Sequence, residues 1–138
     1  MKSNVLKSVF TLTIMLLATV TVISSCSKES DTRDNFVGSY RTNWEFVYNG
    51  QKFQGTYTLT IVKSSTNKTD VILNNINDTN ESVRASINGN SMVIPQQALL
   101  DYGISGSGTL TGNVLNFSTL ETETGGVQVN ATQVATKQ

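Results

Sequence analysis

From Tyr40 onward apolar and polar side chains alternate with a period of two, and Asn-Gly or Gly-Asn pairs break the alternation at short intervals. This pattern confines the chain to antiparallel strands joined by tight turns. Tyr40, Thr42, Trp44, Phe46 and Tyr48 share one face, with Arg41, Asn43, Glu45 and Val47 on the other. Beyond Asn49-Gly50, Phe53, Gly55, Tyr57, Leu59 and Ile61 alternate with Gln54, Thr56, Thr58 and Thr60. A two-residue type I′ turn sets Phe46 opposite Phe53, Trp44 opposite Gly55 and Thr42 opposite Tyr57, so the same face is kept on both strands. A tryptophan over a glycine covers backbone that has no side chain of its own.

The same logic extends along the chain. Val71 to Ile76 reads as a third strand whose inward face the pattern does not assign. Val83, Ala85 and Ile87 lead into Asn88-Gly89, where a two-residue turn sets Ala85 opposite Met92 and Val83 opposite Ile94. Ile104, Gly106, Gly108 and Leu110 lead into Gly112-Asn113, a register that places Leu110 against Leu115 and Gly108 against Phe117. Between them Gln96 to Gly103 carries Ala98, Leu99, Leu100 and Tyr102 without alternation, and reads as a helical turn, a cap over one end, or a lid. A plug closing the core is the preferred form. The last pair, Val114 to Thr122 and Val127 to Ala135, turns around Gly125-Gly126. A two-residue turn there opposes the Phe117 face to Asn130 and Thr132. A three-residue loop or a bulge repairs the phase but brings Glu121 onto the apolar face, and both remain open.

About eight short strands in sequential antiparallel order leave two exposed edges unless the sheet closes. The expected fold is therefore all-β, an eight-stranded up-and-down meander closing into a small barrel, with a β-sandwich as the alternative. Composition agrees: the chain is rich in Thr, Ser, Asn and Gly, and Pro95 is its only proline.

Ahead of the strands, Lys2 and Lys7 precede a run from Val9 to Ile23 that carries no charge and ends in two small residues. This is the layout of a signal peptide, and it is too short and too threonine-rich for a membrane-spanning helix. Ile23-Ser24-Ser25-Cys26 resembles the lipobox of bacterial lipoproteins. In that family the cysteine sulfur receives a diacylglycerol, the leader is cut before it, and the new amino terminus is acylated with a fatty acid such as palmitate. Several acyl chains hold a protein stably at a membrane where one does not. The absence of an aspartate directly after Cys26 implies the outer membrane. Ser27-Lys28-Glu29-Ser30-Asp31 is similar to the export signals of Bacteroidetes surface lipoproteins, so either the periplasmic or the surface side is expected. The chain then divides into a signal peptide at 1–25, a lipidated flexible tether at 26–35 and a single domain at 36–136.

Asn35-Phe36-Val37-Gly38-Ser39-Tyr40 resembles the start of calycins, the lipocalins and fatty-acid-binding proteins, with Tyr40 in the place of their tryptophan. The whole mature chain is similar to small calycin-like lipoproteins of Bacteroidetes, through Val93 to Gln97 and the Ile-Ser-Gly-Ser-Gly-Thr-Leu-x-Gly-Asn run at Ile104 to Asn113. That resemblance implies a lipocalin-like barrel in the cell envelope and no particular ligand. Fatty-acid-binding proteins hold a carboxylate with late arginine and tyrosine residues, and no arginine follows Arg84 here. Lipocalins pack a basic residue of the last strand on the first-strand tryptophan, and Lys137 is the sole candidate for that position.

Removing 25 of 138 residues leaves 113, enough for one core. Eight basic against ten acidic residues remain, scattered, so phosphate backbones find no electrostatic footprint and no nucleic-acid partner is expected. The chain has no histidine and one cysteine, which removes imidazole and thiolate chemistry, metal clusters and disulfides. Glu121 and Glu123 lie on one strand face, where a glycosidase needs its carboxyls on opposite sides of the scissile bond. No enzyme, cofactor or metal is expected. The expected function is a non-enzymatic, lipid-anchored envelope module acting structurally or through protein interaction. The alternative is a binding protein for a small apolar ligand at the barrel mouth, contacted by Tyr40, Trp44, Phe46, Phe53 and Tyr57. Cys26 is the lipid attachment site and the membrane the first partner, with an envelope protein or the ligand as the second.

Overall fold

The computed structural model describes residues 30–138. The stretch read as a signal peptide, 1–25, and Cys26 fall outside the described residues. A 3-10 helical turn, Thr32–Asn35, is followed by eight strands: β1 (Gly38–Tyr48), β2 (Gln51–Lys63), β3 (Asp70–Ile76), β4 (Glu81–Asn88), β5 (Ser91–Ala98), β6 (Tyr102–Thr111), β7 (Val114–Glu123) and β8 (Gln128–Lys137). Every sequential pair is antiparallel, and β8 pairs back onto β1 to close the barrel. Closure removes the free edges that a sandwich would keep. The sandwich alternative therefore drops out.

The first hairpin has the register that its sequence dictates: Phe46 opposes Phe53, Trp44 opposes Gly55 and Thr42 opposes Tyr57. Asn49 and Gly50 both take positive φ, 50° and 76°, as a type I′ turn requires. In the β6–β7 hairpin Leu110 opposes Leu115 and Gly108 opposes Phe117. The β4–β5 hairpin differs from its expected register by one pleat. Its turn is Gly89-Asn90, so Ile87 rather than Ala85 opposes Met92. Only Gly89 takes positive φ there, the glycine-first arrangement of a type II′ turn. A shift of two residues preserves the face, and Val83, Ala85, Ile87, Met92 and Ile94 are all buried.

Three irregularities account for the segments that alternation does not resolve. In β3, Asn75 takes φ 62° at a bulge between Asn74 and Ile76, so the inward residues run Val71, Leu73, Ile76 and the phase changes inside the strand. In β5 a second irregularity lies between Ile94 and Gln97, where Pro95 has no N–H to give. Beyond it β4 and β5 separate, and the Gln97 side chain bridges the gap. Its Oε1 accepts from the Arg84 N–H at 2.9 Å, and its Nε2 donates to the Arg84 carbonyl at 2.8 Å. The segment expected as a helical turn, cap or lid is thus mostly strand. Only Leu99 to Asp101 link β5 to β6, with Leu99 packed on the core and Leu100 89% exposed. At the last hairpin a four-residue connection, 124–127, sets Phe117 opposite Gln133, Thr119 opposite Ala131 and Glu121 opposite Val129. Glu121 therefore does stand on the inner face.

One end of the barrel, the base, holds the 3-10 turn and the β2–β3, β4–β5 and β6–β7 turns. The other, the mouth, holds the first hairpin and the β3–β4, β5–β6 and β7–β8 connections. The base is plugged by Phe36, fully buried, whose carbonyl accepts from the Tyr40 hydroxyl at 2.7 Å. Lys137 Nζ lies 5.9 Å from the centroid of the Tyr40 ring and donates to the Asn35 carbonyl, so the one basic residue of the last strand does pack on the first-strand aromatic. Above these, Leu59, Ile61, Leu73, Met92 and Leu115 fill the lower barrel, and Ile94, Ile104 and Ile76 carry the apolar core on toward the mouth along β3, β5 and β6.

Residues 31–35, part of the stretch read as tether, are structured against the β2–β3 turn. Asp31 caps the 3-10 turn and pairs with Arg33 at 2.7 Å and with Lys63 at 3.0 Å, while the Arg33 guanidinium donates to the carbonyls of Ser64, Asn67 and Asp70. Asp70, 1% exposed, accepts from Ser86, Arg84 and Thr69. Burial alone would raise its pKa, but these three hydrogen bonds outweigh it and hold the carboxyl below its ordinary value of 3.8. The hydrogen bond from the Arg33 guanidinium, then that from Lys63, holds Asp31 well below the carboxylate range.

Candidate functional site: the mouth of the barrel

Toward the mouth the interior turns polar on the β1, β7 and β8 side, while Ile76 and Ile104 keep the opposite side apolar. Thr42, Thr119 and Gln133 are fully buried there. The Tyr57 hydroxyl donates to Gln133 Oε1 at 2.5 Å, and Gln133 Nε2 donates to Asn77 Oδ1 at 2.6 Å and to Thr119 Oγ1 at 3.1 Å. Asn77 Nδ2 in turn donates to Glu121 Oε1. A buried amide that leaves partners unmet is costly, and here each of the Gln133 polar atoms is engaged. The chain of bonds runs from mid-barrel to the rim and fixes the orientation of Asn77 and Glu121. Asn77 reaches it because φ 53° turns the chain sharply at the β3–β4 connection.

Above this network lies a recess of about 190 Å³ open to solvent. Its walls are Trp44 and Phe46 from β1, Tyr102 from β6, and Asn77, Thr79, Glu121 and Ala131. The aromatic rings form a ladder. Trp44 stacks on Phe46 with centroids 5.4 Å apart, and Phe46 stacks on Phe53 at 5.1 Å, an arrangement that continues the recess wall up to the first hairpin. Tyr102 donates through its hydroxyl to Glu81 Oε2 at 3.2 Å, and Glu81 Oε1 accepts from the Leu100 N–H.

The electrostatics follow from burial. Desolvation raises the Glu121 pKa against the opposing hydrogen bond from Asn77, with Glu123 adding to the rise. Burial pushes the Tyr102 hydroxyl up to about 12, and the neighbouring Glu121 and Glu81 push the same way. Burial likewise raises Tyr57. These shifts give a pH dependence whose two arms have opposite sign. A carboxyl held below its ordinary pKa in the fold contributes stability that is fully present above the unfolded value and is lost as pH falls from there through the lower folded value. Asp31 and Asp70 act this way below about pH 4. A carboxyl raised in the fold does the reverse, so Glu121 gives back stability as pH falls from neutral toward its ordinary 4.5. Urea titrations across pH 3 to 8 are expected to show a stability maximum in the mildly acidic range. Glu121→Gln removes the rise on the neutral side, and Asp70→Asn flattens the fall on the acid side. A wild-type profile that rises monotonically to pH 8 would contradict the Glu121 assignment.

Of the five aromatic residues that the sequence singles out, Trp44 and Phe46 line the recess and Phe53 extends their stack to the rim, 41% exposed. Tyr40 and Tyr57 do not reach it: the first is sealed at the base and the second lies under Gln133. Asn77, Tyr102, Glu121 and Gln133 join the site without having been singled out as contacts. The signal for Glu121 is the phase conflict of the last hairpin, since a glutamate on an inner face marks a place where the interior is not meant to be dry.

The inward glycines do not open a chamber. The Trp44 ring covers Gly55, so that a Cβ there would lie 2.7 Å from it, and a Cβ on Gly108 would lie 2.5 Å from that of Phe117. At Gly106 a Cβ would run into the Ser118 carbonyl of the paired strand, so this glycine permits close backbone approach. Large residues set against glycine fill a narrow barrel. No protein-family model, curated protein or solved structure matches the chain, so its own geometry carries the functional reading.

Proposed function

We propose that this protein is a non-enzymatic, lipid-anchored module of the outer-membrane envelope that works by presenting the mouth of a filled barrel to a partner. The observation that carries the reading is the distribution of apolar surface. Val47, Tyr48, Phe53, Leu100 and Val127, five of the eight exposed large hydrophobic residues among those described, all sit around the mouth. The recess behind them is smaller than the roughly 300–1,000 Å³ of small-molecule sites. A partner that lays a surface over the rim and inserts one group uses both features, whereas an enclosed apolar ligand finds no chamber.

The tether supports the same reading. Residues 31–35 leave the barrel at its base, held by Arg33 and Lys63, so an anchor at Cys26 directs the mouth away from the membrane. Of the basic residues at that end, Arg33 and Lys63 are neutralised by Asp31 and Asp34, which leaves Lys68 and Lys137 to favour anionic headgroups. The chain's lack of histidine and its single, N-terminal cysteine agree with a role that requires no catalysis.

Site-specific photo-crosslinking in producing cells tests this. A crosslinker at Phe53 or Leu100 is expected to give the same discrete adduct, and one at Lys68 or Asn113, on the base turns, is expected to give none of it. Adducts from the base positions alone would place the working surface at the other end and overturn the proposal.

A further inference from the structure

We infer that the mouth recess is a binding site for an alkylammonium group, either on a small organic amine or at the tip of a partner's lysine side chain. This deepens the proposed function and rests on the mouth being the working surface, though not on the lipid anchor.

Two independent features converge on a cation. The first is the wall chemistry. Trp44, Phe46 and Tyr102 surround the recess with aromatic rings, whose π faces attract an ammonium most strongly where water is excluded, and Glu121 supplies a carboxylate on the same space. A neutral apolar group would gain from the rings but would leave Glu121 and Asn77 facing it without a new partner. An anion would be repelled outright.

The second is the balance of charge. Asp78, Glu81, Asp101, Glu121 and Glu123 all lie on the mouth connections or the strand ends beside them. None forms an ion pair among the described residues, whose five pairs use Asp31, Asp34, Glu45 and Asp70. The one basic residue of the mouth end among the described residues, Lys52, is held at 2.7 Å by Glu45 on the outer surface. Uncompensated negative charge around a recess with low-dielectric walls concentrates cations there. A volume of about 190 Å³ admits a short alkyl chain with its ammonium head and little more. The Asn77 bond, supported by Gln133 from below, holds the Glu121 carboxylate in place before any cation arrives.

Trp44 is the only tryptophan in the chain and serves as the reporter. Full-length protein in a non-ionic maltoside detergent is titrated with n-butylammonium, with 1-butanol as neutral isostere, and with a blocked Gly-Lys-Gly tripeptide, all at constant ionic strength. The expected result is a saturable fluorescence change with the amine or the peptide and at least tenfold weaker binding of the alcohol. Glu121→Gln is expected to weaken ammonium binding at least tenfold, and Glu123→Gln, at an exposed neighbour, less than threefold. Tighter binding of the peptide assigns the natural occupant to a partner's lysine, and tighter binding of butylammonium assigns it to a free amine. Equal affinity for alcohol and amine, or an unchanged Glu121→Gln, overturns the proposal. Should that variant fail to fold, NMR of the wild type decides. Shifts at the Asn77 side-chain amide and the Tyr102 amide with butylammonium but not with butanol support the site, and shifts elsewhere or none remove it. Rim crosslinks without ammonium binding would leave the mouth as the working surface and sink only this inference. Ammonium binding without crosslinks would do the opposite.

Discussion

Phe36→Ala should destabilise the domain by about 3–5 kcal/mol, the range for deleting a fully buried aromatic. Phe36 has no exposed surface and stands where the chain enters the barrel, under Tyr40 and beside the rings and aliphatic groups of the lower core. Truncation leaves a cavity at the one place where the core meets the tether, and it loosens the turn whose carbonyl accepts from Tyr40. The comparison that gives the number meaning is Leu100→Ala at the mouth, 89% exposed, which should stay within about 0.5 kcal/mol. Urea denaturation followed by far-ultraviolet circular dichroism measures both. A Phe36→Ala midpoint within error of wild type would mean that the base is not the closed end of the core.

Gly106→Ala should be nearly as damaging, through crowding where Phe36→Ala acts through loss. A methyl at Gly106 meets the Ser118 carbonyl of β7, which is backbone and cannot rotate away, so β6 and β7 must separate. Overpacking of this kind costs about 1–3 kcal/mol and occasionally more. Gly55→Ala offers a comparison in which the contact, at 2.7 Å, is less close than at Gly106 and the obstacle is different, because the Trp44 ring can swing aside. That variant should lose less stability than Gly106→Ala while shifting the tryptophan emission. Equal losses at the two positions would show that the β6–β7 approach is no tighter than the aromatic contact.

The strands and the barrel were legible in the sequence because alternation and turn chemistry are local. Asn49-Gly50 announces its positive φ values in its own composition, and the faces of β1 and β2 follow from it, as those of β6 and β7 follow from Gly112-Asn113. What the pattern could not supply was non-local. The Asn75 bulge changes the phase of β3 without a glycine to mark it. The Gln97 bridge to the Arg84 backbone is visible only once β4 and β5 have separated at Pro95. Nothing within Ala98 to Tyr102 says that its aromatic residue will bond to Glu81, twenty-one residues upstream in the chain. For the site, the first-strand aromatics were legible, but alternation assigns a face and not a depth. Tyr40, Trp44 and Tyr57 share one face while lying at the base, the mouth and the middle of the barrel. Depth depends on which end the chain enters, and Phe36 fixes that.

The most direct test of a tethered barrel with an outward mouth is intact-mass and N-terminal peptide analysis of the protein isolated from membranes of producing cells. The expected result is a chain that begins at Cys26, carries a diacylglyceryl thioether and an acylated amino terminus, and leaves the membrane fraction when Cys26→Ala is made. A membrane-extracted chain that retains residues 1–25, or one that begins at Cys26 with a free thiol and is recovered in the soluble fraction, would contradict it.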